Sequence, residues 1–486
     1  MSPPARQPAP TRRRRPSKSS DSVSESASKP SQRERLLDAM IELCAKLGYQ
    51  GASIAQVSSQ AGVSSATFYE QFDSKEDCLL AAYRIARRRV FKQMAPVVAN
   101  NGWSDAGRAT LGGLFNGLQT DPNAGRLLFV EALAGGPRMR EERERVLAEF
   151  EYGVQEFLDS TPKGTDTLDI PVAALEGARR NIVSWHLRTH SEDHLPSLVE
   201  DMLAWMGSYA IPSGQARWST GPHALLPVAS ARESSPASEG AAPQPERLPR
   251  GRHGLPAGVV ARSQRTRIVH GTAEVMMSKG YANATVADIV AAAGISRDVF
   301  YEHFTNKQHA FLEAQQYATQ YIFDTTAAAY FAAENWPERV WNALHAVLGL
   351  IASHPAIAHM RIVECYAAGP AAVRSTEELL RAAGIFLEEG YTYLPRARGL
   401  PRLCSQAIIG AVFEVIYRYV ARGDQAELPQ HLPQFTYIAL APFAGNEEAI
   451  RLVERLRAQH LAIGESGLRK TRKSRPATSG LNGYVI

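Results

Sequence analysis

Two short stretches of this 486-residue chain carry side chains well suited to touching a polyanion. Around Phe68 and Phe72 stand Ser65, Ala66, Thr67, Tyr69 and Gln71, with Lys75 just beyond; around Phe300 and Phe304 stand Arg297, Asp298, Val299, Tyr301 and His303, with Lys307 just beyond. Each phenylalanine pair is spaced four apart, so on a helix both rings share one face. Burying the rings leaves the remaining side chains on or near the open side. Tyrosine and threonine hydroxyls and a lysine near a helix start donate to phosphate oxygens and fix register, whereas residues at a helix start meet base edges. The two sets are chemically unlike: Arg297 can donate two bonds to guanine and Asp298 can accept from cytosine, while Ser65 and Ala66 offer a small hydroxyl and a methyl.

The elements that must position these residues are legible because the chain repeats itself. At a constant offset of 232, residues 33–76 align with 265–308 without a gap, and 15 of the 44 pairs are identical. Leu36, Leu37, Met40, Ile41 and Cys44 recur at helical spacing and predict a buried stripe on an opening helix that Gly48 ends. Ser53 with Gln56, and Thr285 with Asp288, predict capping boxes that start a second helix in each copy. Gly62 and Gly294 supply the turn, and Ser64 and Ser296 cap a third helix carrying the paired rings. A fourth helix opens at Ser74 and Asn306. Two short helices joined by a glycine turn are the means by which many proteins set a helix into the DNA major groove.

The duplication extends well beyond these helices. At an offset of 233, Glu131, Pro137, Gly177 and Pro196 meet Glu364, Pro370, Gly410 and Pro429. The repeated unit is therefore a domain of about 180 to 200 residues, within the usual domain range and too long for a solenoid repeat.

The stretch from Ser53 to Phe72 followed by Ser74, Lys75 and Glu76, and that from Thr285 to Phe304 followed by Asn306 and Lys307, resemble the DNA-binding region of the TetR/AcrR family of bacterial transcriptional regulators. The resemblance covers the signature region of each half and thins in the remainder, where Glu131 to Pro137 and Glu364 to Pro370 also look familiar from that family. It implies an all-α fold of two tandem units, each with three N-terminal helices for DNA and about six more that enclose an effector pocket. The last two helices of each unit, expected at 172–190 with 195–208 and at 403–422 with 433–443, would form a four-helix pairing interface. Carried over position by position, the DNA contacts fall on Ser53, Ser65, Ala66, Thr67, Tyr69, Gln71 and Lys75, and on Thr285, Arg297, Asp298, Val299, Tyr301, His303 and Lys307. Against these stand simpler readings: Arg297 and Asp298 pair with each other or cap their helix, the tyrosines pack at a boundary, or the second half does not read DNA.

The resulting division is a basic tail at 1–30, a DNA-reading head at 31–92, an effector and pairing domain at 93–211, a flexible linker at 212–261, a second head at 262–324, a second effector domain at 325–465 and a basic tail at 466–486. The linker is rich in Pro, Ser, Ala and Gly and buries too little apolar surface to offset chain entropy. Seven basic and two acidic residues in the first thirty, and five basic in the last twenty, place +5 on each tail against a net charge of +5 for the whole chain, leaving the body near −5. Such arms either add phosphate contacts that release counterions or only solubilise the chain.

No apolar run predicts a bilayer span or a secretory signal, so a cytoplasmic, nucleoid-associated protein is expected. Cys44, Cys78, Cys365 and Cys404 lack zinc or redox spacing. His186, His190 and His194 recur four apart, but a loop reading from Ser191 and unlike residues in the second copy argue against a metal, so no cofactor is expected. Glycine-rich phosphate loops, nucleophile elbows and zinc-hydrolase helices are absent from the sequence, and an enzyme is not expected. Trp103, Trp185, Trp341, His345, His359, Tyr366 and Tyr417 are candidate pocket liners or core. The functional expectation is a ligand-responsive DNA-binding regulator, a repressor in most of that family, paired within one chain on an asymmetric operator or between chains. The alternatives are a ligand-independent DNA-bridging protein, or a regulator with one active head.

Overall fold

The computed structural model describes residues 30–92, 102–160, 162, 165–213, 215, 218 and 255–473. The tails through 29 and from 474, and the linker from 219 to 254, lie outside the described residues. The first half runs α1 (Gln32–Gly51), α2 (Ile54–Gln60), α3 (Ser65–Gln71), α4 (Lys75–Phe91), α5 (Gly102–Thr120), α6 (Pro122–Phe129), α7 (Pro137–Asp159), α8 (Val172–Arg188) and α9 (Val199–Gly207). The second repeats that order as α10 (Ala257–Asn283), α11 (Val286–Ala293), α12 (Arg297–His303), α13 (Lys307–Phe331), α14 (Trp336–Ser353) and α15 (Pro355–Ile362), breaks the counterpart of α7 into α16 (Pro370–Ala383) and the short α17 (Gly390–Tyr393), and ends in α18 (Leu403–Arg422), α19 (Leu432–Ala444) and α20 (Asn446–Lys473). The fold is all-α in two tandem units. Its one departure among the described residues is a clip of two antiparallel strands, β1 (Asp166–Leu168) and β2 (Ala210–Pro212), in which Thr167 faces Ile211.

The predicted pairing helices need adjustment. The helix expected over 172–190 stops at Arg188, and His190 takes a left-handed φ of 52°. The stretch expected to be helical from 195 begins as a 3-10 segment, Glu192–Leu198, because Pro196 cannot donate to an α-helical ladder. Helix α20 was not foreseen; it closes the second half with Ala449, Leu452, Val453 and Leu456 buried.

Helix α8 packs along α18, and the closest approach falls at one glycine from each copy. A Cβ on Gly177 would stand 2.6 Å from the Gly410 carbonyl oxygen, and one on Gly410 would stand 2.9 Å from that of Gly177. Around this crossing the charges are buried and complementary. Arg143 of α7 donates to both oxygens of Glu414 on α18 at 3.0 and 3.2 Å, Arg180 lies 3.6 Å from the same carboxylate, and Arg418 donates to it at 3.2 Å and to Glu151 across the interface at 2.9 Å. Arg188 pairs with Glu377 and Arg140 reaches Glu364 at 3.4 Å. Tyr209 donates to the Ile438 carbonyl at 2.7 Å, and Trp218, inside the expected linker, stacks on Tyr437 with its carbonyl accepting from Gln434.

By length and hydropathy α18 passes for a membrane span, yet 83% of its apolar window is buried within the protein, where both of its faces are core. Glu414 loses hydration on burial, which alone would raise its pKa, but the surrounding guanidinium groups hold it well below the usual carboxylate range.

Removing this carboxylate leaves Arg180 buried without a carboxylate partner among the described residues and Arg143 with Glu144 alone. Glu414→Ala is expected to destabilise the protein by about 3 to 5 kcal/mol, read as a lower urea midpoint. The depressed pKa gives the pH sign: the contribution of Glu414 is complete above the ordinary carboxylate value of about 4.3 and is lost progressively as pH falls below it. Acid unfolding of the parent should therefore be steeper than that of the Glu414→Ala variant.

Candidate nucleic-acid interface and effector cavities

In each half the reading helix is seven residues long and is held from three sides. Ser64 accepts from the Thr67 amide at 3.0 Å and Ser296 from the Val299 amide at 3.3 Å, capping α3 and α12. Gly62 and Gly294 adopt φ of 63° and 61°, a left-handed turn that side chains strain to enter. The rings of Phe68 and Phe72 stand 5.7 Å apart and those of Phe300 and Phe304 5.8 Å apart, all four buried. Arg33 donates to the Gln71 carbonyl at 2.7 Å and lies over Phe72, closing the C-terminal end of α3, while Arg265 lies over Phe304. Arg267 donates to the carbonyls of Ala293 and Gly294, tying the second turn to α10.

With the rings inward, Tyr69 and Tyr301 are 58% and 47% exposed, and Ser65, Ala66, Arg297 and Asp298 are exposed beside them. Thr67, Gln71, Val299 and His303 are half-buried at the rim. The Arg297 guanidinium lies 5.7 Å from the Tyr301 ring, and His303 bonds Gln264 at 3.1 Å. Ser53 and Thr285 are exposed, and their hydroxyls form reciprocal capping boxes with Gln56 and Asp288. They stand at the N-termini of α2 and α11, the helices that precede α3 and α12.

Lys75 and Lys307 have an additional structural role. Lys75 Nζ donates to the carbonyls of Tyr49 and Ala52 at 2.8 and 2.9 Å and sits 4.1 Å from the Tyr49 ring centroid; Lys307 does the same with Tyr281 and Ala284 at 2.6 and 2.8 Å. Desolvation lowers both ammonium pKa values. Two of three N–H groups on each ammonium are thereby committed to the backbone.

The same turn shows what the repeated Glu131 and Glu364 do. Gly48 does not simply end the opening helix: it breaks it, with φ 74° and ψ 157°, and one further turn continues to Gly51. The break frees the Tyr49 N–H, which donates to Glu131 Oε2 at 2.8 Å; in the second half Gly280 breaks α10 and the Tyr281 N–H donates to Glu364 at 2.6 Å. A carboxylate from the effector domain thus holds the N–H of the tyrosine whose C=O the lysine holds. Gln50 adds a bond to the Ala134 carbonyl and Gln308 one to that of Ala368. The sequence showed both glutamates and both glycine-tyrosine pairs in register; their contact was hidden because 82 residues separate them.

The two halves differ here. Burial raises the Glu131 pKa, whereas Glu364, although desolvated, is lowered by His359, the Tyr281 amide and Arg140. Arg140 belongs to the first half, and its counterpart in the repeat is Val373, so the link from one half into the hinge of the other runs in one direction.

Behind each head lies a cavity. The first, about 400 Å³, is bounded by Trp103, Leu111, Phe150, Leu175, Met202 and Trp205, with the ion pair Arg179–Glu176 on its wall. The second, about 170 Å³, is bounded by residues including Phe323, Leu344, Ile409, Phe413 and Arg361. Of the seven expected liners Trp103 alone borders either cavity. Trp185 lies under the Arg381 guanidinium, Trp341 and His345 lie against His460, His359 faces Glu364, and Tyr366 packs on Tyr417. Among the described residues no cluster of His, Cys, Asp and Glu is arranged for a metal.

The model for the family "Bacterial regulatory proteins, tetR family" matches twice, at residues 36–82 and 268–314, which are the two heads just described. The two heads are of the TetR family. Similar solved structures each cover between 35% and 39% of this chain. The transcriptional regulator FadR from Bacillus subtilis, in complex with stearoyl-CoA, is 19% identical over 35% of this chain and 96% of its own, with a TM-score of 0.28. The fatty acid degradation regulator FadR from Bacillus halodurans is 18% identical over 39% and 99%, with a TM-score of 0.32. A TetR family transcription regulator from Marinobacter aquaeolei VT8 is 18% identical over 35% and 93%, with a TM-score of 0.27. Among curated proteins none matches.

The lysine clamp of these TetR heads can be tested without DNA. Lys75→Met removes two charge-assisted bonds and leaves two carbonyls unpaired, and should lower stability by about 1 to 3 kcal/mol. Hydrogen exchange should show the loss concentrated at 49–52, where the clamp acts.

Proposed function

We propose that the chain is a ligand-responsive transcriptional repressor whose two halves pair with each other and present unlike heads to an asymmetric operator. The observation that carries this reading is the one-sided charge at the α8–α18 crossing. By the repeat, Arg143 and Arg180 of the first half correspond to Thr376 and Phe413 of the second, and Glu414 corresponds to Asn181. Pairing two first halves would bury both arginines against an asparagine; pairing two second halves would set Glu414 opposite a threonine and a phenylalanine. A second-half pair would leave Glu414 with Arg418 alone, and a first-half pair would leave Arg143 with Glu144 alone and Arg180 without its carboxylate, so each mismatch breaks part of a buried charge network, at about 3 to 5 kcal/mol for a broken pair. First-with-second pairing is therefore strongly preferred, and the tether raises the local concentration of the right partner to about the millimolar range.

In this reading Tyr69, Tyr301, Thr67, Lys75 and Lys307, with the caps Ser53 and Thr285, hold phosphates, and Ser65, Ala66, Gln71, Arg297, Asp298 and His303 face base edges, with Val299 contributing only an apolar contact. An effector in either cavity biases the spacing of the heads through the Glu131 and Glu364 contacts, and release follows when the favoured spacing no longer matches the groove. The regulator acts in the cytoplasm on chromosomal DNA.

Selection of bound DNA from a random pool, with light scattering of the same sample, tests this directly. Two unlike half-sites bound by a single chain are expected; a palindrome bound by two chains would discard the asymmetric operator, and no enrichment would discard DNA reading. Tyr69→Ala and Tyr301→Ala should each weaken binding to all sequences, whereas Arg297→Ala should cost about 1 to 3 kcal/mol at one base position and relax the preference there. Loss from the first-half change alone would mean that the second head is silent.

A further inference from the structure

Arg361, at the end of α15, is 2% exposed and borders the second cavity. It has no carboxylate partner among the described residues: Nε donates to Thr319 Oγ1 at 3.1 Å, Nη1 to Thr376 Oγ1 at 2.6 Å and Nη2 to the Ser375 carbonyl at 3.2 Å. Three of the five N–H groups of a guanidinium are thus satisfied, all by neutral oxygens, and one on each terminal nitrogen remains. Desolvation lowers the pKa of this group, and no Asp or Glu offsets it. A second polar group that borders the cavity is also unsatisfied: the Thr326 hydroxyl is buried and has no hydrogen-bond partner among the described residues. The rest of the lining is aliphatic or aromatic, including Leu344, Leu380, Ile409 and Phe413.

A buried cation normally carries its counter-charge with it, and every other fully buried arginine at the centre of this molecule does: Arg143 and Arg418 have Glu414, and Arg179 has Glu176. The first cavity shows the contrast, since Arg179 on its wall is already neutralised. The repeat sharpens it, because Arg361 corresponds to Leu128, so the charge belongs to the second half alone.

Resting on the reading of the cavities as effector sites, we propose that the second cavity takes an amphipathic anion, an aliphatic chain ending in a carboxylate, with the carboxylate on Arg361 and Thr326 and the chain against Leu344, Leu380, Ile409 and Phe413. A planar carboxylate fits the remaining N–H groups of the guanidinium fork, and the ligand supplies the missing negative charge. The first cavity, with its wall charge balanced, takes no such anion.

The test uses the full chain with octanoate and 1-octanol as matched probes, followed by titration calorimetry. Octanoate should bind more tightly than octanol by roughly tenfold or more, the size of one charge-assisted hydrogen bond. Arg361→Met should abolish that preference, Arg361→Lys should keep part of it, and Leu344→Trp, which fills the cavity, should remove octanoate binding. Equal affinity of the two probes for the parent chain overturns the proposal, a result that needs no variant to fold. Octanoate binding that survives Leu344→Trp places the anion elsewhere and overturns it too. Operator binding by the unliganded chain, measured in parallel, separates the two readings: operator binding with no octanoate preference sinks the anion site alone, and octanoate preference with no operator binding sinks the regulator reading alone.

Discussion

Glu414 sits where α18 crosses α8 and accepts or faces three guanidinium groups, two of them from the other half of the chain. This carboxylate is buried, so its charge is held by those arginines against the cost of desolvation, and removing either side leaves buried charge poorly compensated. The crossing is close because Gly177 and Gly410 meet backbone to backbone, which lets Tyr209, Asn181 and Asn446 reach carbonyls on the opposite side or across the junction. Apolar burial along α8 and α18 supplies much of the association, and the charges set which surface may meet which.

From that crossing a chain of contacts leads to the heads. Arg140, on the same helix as Arg143, reaches Glu364; Glu364 holds the Tyr281 N–H; Lys307 holds the Tyr281 carbonyl; and Lys307 opens the helix that follows the reading helix. The first half has the equivalent clamp on Tyr49 but, among the described residues, no arginine from its partner bonded to Glu131. A shift at the interface therefore has a direct polar route into one hinge, while the other is reached through packing. Two copies of one fold have become chemically distinct parts, which also shows in the cavities, one with a balanced ion pair on its wall and one with an unpaired guanidinium.

Much of the head was legible in the sequence because its determinants are local. Capping serines, the left-handed glycines and rings spaced four apart each act within a single turn of chain, and the structure has them in those roles. The glycine at position 48 was the partial exception: a helix-ending glycine and a helix-breaking one read alike until the carboxylate that accepts the next N–H is known. Lys75 showed the same limit, since a lysine at a helix start is as able to hold two carbonyls as a phosphate. Apart from Trp103 the pocket walls were not legible, because Trp185, Trp341 and Tyr366 share their composition with true liners and differ only in what faces them.

The sequence by itself determined that there are two copies, that each is helical, where the reading helices begin, and that their exposed residues differ, because repetition, capping and periodicity are properties of neighbouring residues. Only the tertiary structure decided that Gly177 meets Gly410, that Glu414 draws arginines from the other copy, and that Arg361 stands without a carboxylate. Those facts depend on which residues distant in sequence share a desolvated space, and a chain read in order carries no measure of that.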